Sequence, residues 1–297
     1  MSGRADGLEL AHLRTLVALA EEGTFTDAAS RLGMSQPSVS RTLARLEATI
    51  GVLLVQRTTR SLRLTDAGQI CYDAAVPVLL ALDAMVDAAA GRVAPLRLGY
   101  SWAAFGAATS DILRAWRELY PDLPLEVHRI DDRSAGLTNG SVDVAISRDD
   151  VHDSGVRVEP IFREGRMAAV PTGSPLADRP TLALADLADE VIALVPTIGT
   201  TTLDLWPAQE RPRRFVEVAN TDEWLMAIAS SEAVGVTPES TPTQHPHPGV
   251  RFVTMPSAPR VTVSLVWPAG RAHPSLADFV SVVRDCLDPN VALPPGR

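Results

Sequence analysis

One stretch limits what this chain can fold into more than any other: Ser35-Gln36-Pro37-Ser38-Val39-Ser40-Arg41-Thr42-Leu43-Ala44-Arg45-Leu46-Glu47. Ser35 is a natural N-cap, and Pro37 falls in the first turn, where a missing N–H costs little. Val39, Leu43, Leu46 and Ile50 are spaced 4, 3 and 4 residues apart, so they share one side of a helix. At about 100° per residue, the other side carries Pro37, Ser38, Arg41, Arg45 and Ala48. Small residues there let the helix come close to a surface, while hydroxyls and guanidinium forks can reach phosphates or base edges.

The flanking residues complete a motif. Leu10, Leu13, Val17 and Ala20 repeat at helical spacing, and Gly23 is placed to end that helix. Thr26 reads as the cap of a short second helix, Asp27 to Leu32, with Phe25 as the staple residue before it. Gly33-Met34 then turns into Ser35, which gives a helix-turn-helix. Downstream, Leu54-Val55 and Leu62-Arg63-Leu64 flank Gln56-Arg57-Thr58-Thr59-Arg60-Ser61, two short extended runs around a basic tip that predict a β-wing. Charge follows the same division. Residues 31–63 hold six Arg against one acid, Glu47, whereas residues 66–297 hold 19 Arg against 30 acids. The overall charge of −9 therefore conceals one basic face suited to phosphates.

Residues 8–68, with the pattern SQPSVSR…LE…G…L…R…LT…G, resemble the N-terminal domain of the LysR-type transcriptional regulators almost without a gap. The resemblance implies a winged helix-turn-helix, a long linker helix, and a two-lobed α/β effector domain similar to periplasmic binding proteins. It also implies a homodimer or homotetramer that reads an interrupted palindrome in double-stranded promoter DNA and responds to a small molecule. Gln36, Ser38, Arg41 and Arg45 are then expected at the major groove, Ser35 and Pro37 among the DNA-binding residues beside them, and Arg57, Thr58, Thr59, Arg60 and Arg63 on the wing or the DNA backbone.

Residues 8–64 form the expected DNA-binding domain and 65–91 the linker. Thr65 can cap a linker helix, and Cys71, Ala74, Val78, Ala81, Met85 and Ala88 form a heptad seam for a partner helix. Leu79, Leu82 and Val86 widen it, so Ala74, Val78, Leu82, Met85 and Val86 are the candidate dimerisation residues. Cys71 reads as a small core residue of that seam, and Pro77 should remove one hydrogen bond and bend the rod. Gly91 to Pro95 reads as a hinge.

Residues 92–297 form the expected effector domain. Strands are expected at Leu96-Gly99, Leu125-Ile130, Val142-Ile146, Met167-Val170, Val191-Val195, Phe215-Val218, Val234-Val236 and Val261-Trp267, and helices at Ile112-Leu119, Thr221-Ser231 and Leu276-Cys286. This alternation predicts an α/β domain with a largely parallel sheet. The resemblance implies a first lobe of about 95–163 and 268–297 and a second of 164–267. Three hydroxyl-rich junctions follow strands: Ser101-Trp102, Gly199-Thr200-Thr201-Thr202 and Asn220-Thr221. Free N–H groups there suit an anion, so Ser101, Trp102, Thr200, Thr201, Asn220 and Thr221 are the candidate effector residues and a carboxylate the candidate ligand. Ser and Thr are also good caps, which serves structure alone. Trp102 is bulky for its position, where it either stacks on a ring or fills part of the cleft.

Composition narrows the remaining classes. No apolar run reaches the roughly 18 residues of a membrane span, and residues 1–20 carry no signal-peptide pattern. Cys71 and Cys286 alone make no disulfide framework, so the cytoplasm is the expected compartment. GxSxG, HExxH, CxxC, P-loop and GxGxxG elements are all missing, which argues against an enzyme and gives no cofactor to expect. Only His245 and His247 are close together, and Pro246 between them disfavours a metal site. The alternatives left open are a winged-helix regulator of another family and a regulator without a small-molecule effector.

Overall fold

The computed structural model describes residues 7–57, 62–91, 93–149, 155–270, 272–287 and 293. The chain parts between Ala94 and Pro95 into two compact units.

The first unit opens with α1 (Leu10–Glu22), α2 (Phe25–Leu32) and α3 (Gln36–Ile50), followed by β1 (Val55–Arg57), β2 (Leu62–Leu64) and α4 (Asp66–Ala89). Gly23 and Gly33 end α1 and α2 in the left-handed conformation, φ 68° and 63°. The cap of α2 is Thr24 rather than Thr26, because Thr24 is extended and its hydroxyl accepts from the Asp27 amide at 3.1 Å. Ser35 caps α3 as expected, accepting from the Ser38 amide. Leu16, Leu19, Ala28, Val39, Leu43, Leu46 and Leu54 close the core, and each large apolar side chain buried there contributes about 1.5–3 kcal/mol. Two expected positions lie outside it: Ile50, the last residue of α3, and Leu10, at the start of α1, are exposed. The wing strands pair antiparallel, Val55 opposite Leu64 and Gln56 opposite Arg63. The tip residues Thr58, Thr59, Arg60 and Ser61 lie outside the described residues.

Thr65 caps α4, accepting from the Gly68 amide at 2.9 Å while donating to the Leu53 carbonyl. Gly68 is required here, since a Cβ would lie 2.0 Å from the Leu54 carbonyl oxygen. Cys71 faces the helix-turn-helix core instead of the expected seam. The open apolar face comprises Ile70, Ala74, Val78, Ala81 and Met85, with Ile70 70% exposed. Against the run-length expectation, Asp66–Asp87 is long and apolar enough to cross a membrane by length and composition, with a mean hydropathy of 1.5. Pro77 lies inside the helix without ending it.

The second unit has two lobes. In the first, β3 (Leu96–Tyr100), β4 (Leu125–Arg129), β5 (Val144–Ser147), β6 (Val156–Glu164) and β12 (Val261–Pro268) form a sheet in the order β4-β3-β5-β12-β6. It packs on α5 (Thr109–Leu119) and α8 (Leu276–Asp285) around Trp116, Phe279, Leu98 and Ile161. In the second, β10 (Gly235–Pro238), β7 (Arg166–Pro171) and β11 (Val250–Thr254) form one sheet and β8 (Val191–Leu194) with β9 (Arg214–Glu217) another. A parallel bridge from Ile192 to Val234 joins the two, and α6 (Thr221–Ala229) and α7 (Thr241–Gln244) complete the lobe.

Two expectations are corrected. The sheets are mixed: β3-β4, β3-β5 and β8-β9 are parallel, whereas β12 pairs antiparallel with β5 and β6, and β7 with β10 and β11. β12 also belongs to the first lobe, so the chain returns before Val261 and not at Trp267-Pro268. The physical reason is that the outgoing strand β6 and the returning strand β12 pair along their whole length, Val261 opposite Glu164 and Pro268 opposite Val156.

Candidate nucleic-acid interface and ligand cleft

On α3 the buried stripe is Val39, Leu43 and Leu46. Ser35, Gln36, Pro37, Arg41 and Arg45 are exposed and Ser38 half-buried, so these side chains share the outward side. The Ser38 hydroxyl accepts from Arg41 at 3.1 Å, which pre-orients the guanidinium along the first two turns. Arg63 is exposed on β2, and Arg57 lies on β1. Arg31 does not add to this face. It is paired with Glu21 and Glu22, and that pairing raises its pKa. Glu47, the one acid of the segment, serves the fold: its Oε1 accepts from the Leu54 and Val55 amides at 2.8 and 3.2 Å, which anchors the wing to α3.

In the second unit, Ser101 and Trp102 follow β3 while Thr200 and Thr201 follow β8, and all four meet in two adjoining recesses between the lobes. One is lined by Trp102, Thr200, Thr201, Trp224 and Thr237. The other is lined by Ser101, Trp102, Arg133, Ser147, Arg148 and Thr200. Trp102 is only 7% exposed. Its indole N–H donates to Thr241 Oγ1 at 2.8 Å, and its ring meets Trp224 edge to face at 6.2 Å. It fills the cleft wall rather than offering an open stacking face. His245 tilts against the same indole at 5.7 Å, and burial, with Arg129 nearby, holds its pKa below the usual histidine value. Asn220 and Thr221 do not line either recess. Asn220 caps α6 by accepting from the Glu223 amide, and Thr221 is fully buried.

Three arginines at the cleft were not among the sequence candidates. Arg148 is paired with Glu164 at 2.7 Å, with side chains only 5% and 3% exposed, and also donates to the Ala104 carbonyl. The other carboxylate oxygen of Glu164 accepts from the Ser240 amide at 2.9 Å, which ties the two lobes together. Arg133 reaches from the first lobe to the Pro196 carbonyl at 2.9 Å. Arg166, at the start of β7, binds the Thr200-Thr201 corner, and burial lowers its pKa. Arg148 and Arg166 sit at strand ends with no local pattern to mark them, so only the folded topology reveals them.

Residues 89–288 match the family model for the LysR substrate binding domain, and residues 10–69 match that for the bacterial regulatory helix-turn-helix protein, lysR family. The chain belongs to the LysR family of transcriptional regulators. This LysR-type regulator is 38% identical over 208 residues to the uncharacterized HTH-type transcriptional regulator YnfL of Escherichia coli, covering 66% of this chain and 69% of that one. It is 28% identical over 248 residues to the HTH-type transcriptional regulator BenM of Acinetobacter baylyi, covering 79% and 81%. Among solved structures, the LysR family transcriptional regulator CbnR superposes with a TM-score of 0.68 at 26% identity, covering 95% of this chain and 100% of that one. CbnR complexed with its target DNA matches with a TM-score of 0.65 at 25% identity, covering 94% and 100%. As a LysR-type regulator the chain pairs a DNA-binding domain with an effector-binding domain and is not an enzyme.

Proposed function

We propose that this LysR-type regulator acts in the cytoplasm, binds double-stranded promoter DNA as a homodimer or homotetramer, and is tuned by a small anionic effector, a carboxylate. The observation that carries the DNA reading is the outward face of α3, where Gln36, Pro37, Arg41 and Arg45 are all exposed beside a fully buried apolar stripe. Ser38, Arg41 and Arg45 read base edges, and Arg63 with Arg57, Thr58, Thr59 and Arg60 grips phosphates. The open face of α4, with Ala74, Val78, Met85 and Val86, supports the oligomer. Its apolar surface fits a second copy of the same helix, with Leu82 at the margin. Effector binding at Ser101, Trp102, Thr200 and Thr201 is supported by their convergence between two lobes. A ligand there shifts the lobes by the difference in its affinity for the two arrangements.

The test is fluorescence anisotropy of the full chain with a duplex from the region beside its own gene and with a random duplex. Arg41→Ala is expected to lose about 1–3 kcal/mol on the cognate duplex and to relax preference at one base. Arg63→Ala should weaken both duplexes alike and lower the salt slope by about one counterion. Equal losses on both duplexes from both variants would overturn this division between base reading and backbone grip.

A further inference from the structure

Arg166 is 9% exposed, and the four acceptors its guanidinium meets among the described residues are neutral. They are the carbonyls of Pro259 at 2.9 Å and Thr200 at 3.1 Å, and the hydroxyls of Thr201 and Thr200 at 3.3 and 3.4 Å. The acid whose charge acts on it, Glu164, already has one oxygen on Arg148 and the other on the Ser240 amide. Two buried guanidinium groups therefore share one buried carboxylate, and this part of the cleft wall carries excess positive charge. The carboxylate of Glu239 lies over Gly165 at the exposed surface, where solvent weakens its interaction with the buried pair.

Hydrogen-bond polarity adds a second effect. A guanidinium only donates, so both threonine oxygens act as acceptors toward Arg166 and their own protons must point elsewhere. The Thr201 proton goes to the Val236 carbonyl at 2.7 Å. The Thr200 proton is left for the recesses, both of which Thr200 lines. We propose that Arg166 is the specificity-determining residue of the cleft: it occupies one acceptor site of the Thr200 hydroxyl and leaves that proton free to donate, places positive charge behind it, and so selects a carboxylate over the corresponding amide without touching the ligand. This rests on the reading of the cleft as the effector site. Arg166 is a positioning residue, and the group that meets the ligand is the Thr200 hydroxyl.

Calorimetry on the full chain tests it, with benzoate and butyrate as probes and benzamide and butyramide as their neutral partners. Wild type should bind at least one acid about tenfold or more tightly than its amide, the effect of one charge-assisted hydrogen bond. Arg166→Met should bring the acid down to the level of the amide while leaving the amide's affinity unchanged. Arg166→Lys should restore part of the preference, because an ammonium also only donates. Thr200→Val, which leaves Arg166 in place, should lose the same preference and covers the case in which Arg166→Met does not fold. An acid preference that survives both Arg166→Met and Thr200→Val overturns the role of Arg166 yet leaves the cleft as the effector site. Wild type that binds its cognate DNA but neither acid removes the carboxylate cleft, and this inference with it.

Discussion

Glu47 is the one acid among six arginines between residues 31 and 63, and its carboxylate holds the first backbone amides of the wing. Glu47→Ala strips two N–H groups of a charged acceptor. It should lower unfolding free energy by about 1.5–3 kcal/mol in urea titrations, with Glu47→Gln losing less. A second residue links the helix-turn-helix to its linker: the Tyr72 hydroxyl donates to Glu21 at 3.2 Å. Burial first, then the Glu21 charge, pushes the Tyr72 pKa up to about 12. A raised folded pKa stabilises fully below the ordinary value near 10 and is lost as pH climbs toward 12. Near-ultraviolet titration should show a late-ionising tyrosine that is absent in Tyr72→Phe. Neither contact could be read in advance, because Glu47 reaches seven residues along the chain and Tyr72 fifty-one back. What was legible at this scale was chemistry with a short period: the Ser35 cap, the α3 stripe and the arginines opposite it.

Helices with one face buried and a strong period were legible, and two strands of the effector domain were not. α3, α4 and the wing strands stand within a residue or two of their expected bounds. β6 and β11 were not among the expected strands, and β6 carries Pro160 in its middle, where proline argues against a strand. The fold accommodates it at the edge of the five-stranded sheet with a register shift opposite Val263 and Ser264, and the Ile161 carbonyl accepts from the Leu293 amide instead. α4 gives the clearest test at this scale. Val78→Asp and Met85→Asp place carboxylates on its open apolar face and should shift sedimentation of the full chain toward monomer, with DNA affinity falling in parallel. An unchanged oligomer would take that face out of the interface. Pro77→Ala restores one backbone hydrogen bond inside the helix and should raise the melting temperature, since mid-helix proline costs about 3 kcal/mol relative to alanine.

At the scale of the whole molecule, charge and topology set behaviour that no single residue does. With the basic segment as the proposed DNA-facing surface and the remainder acidic, affinity should fall steeply with salt, by about 0.9 log units per log unit of salt for each phosphate neutralised. A salt-insensitive complex would contradict the assigned surface. The two-unit organisation was legible from composition and pattern. The return point of the chain was not, because pairing between β6 and β12 is a non-local fact, and the strand Val261–Pro268 reads the same whichever lobe owns it. That pairing matters while the protein is being made. The helix-turn-helix and linker emerge from the ribosome first and are complete in themselves, and the second lobe is a continuous insertion that can close next. The first lobe must wait for β12 and for Leu276, Phe279, Val282 and Val283 of α8 before Leu98, Ile146 and Ile161 are covered. The unit proposed to bind DNA is thus finished before the lobes proposed to sense a ligand. A message cut short ahead of Val261 would yield a product that carries the whole helix-turn-helix and linker but exposes an unfinished apolar sheet to chaperones and proteases.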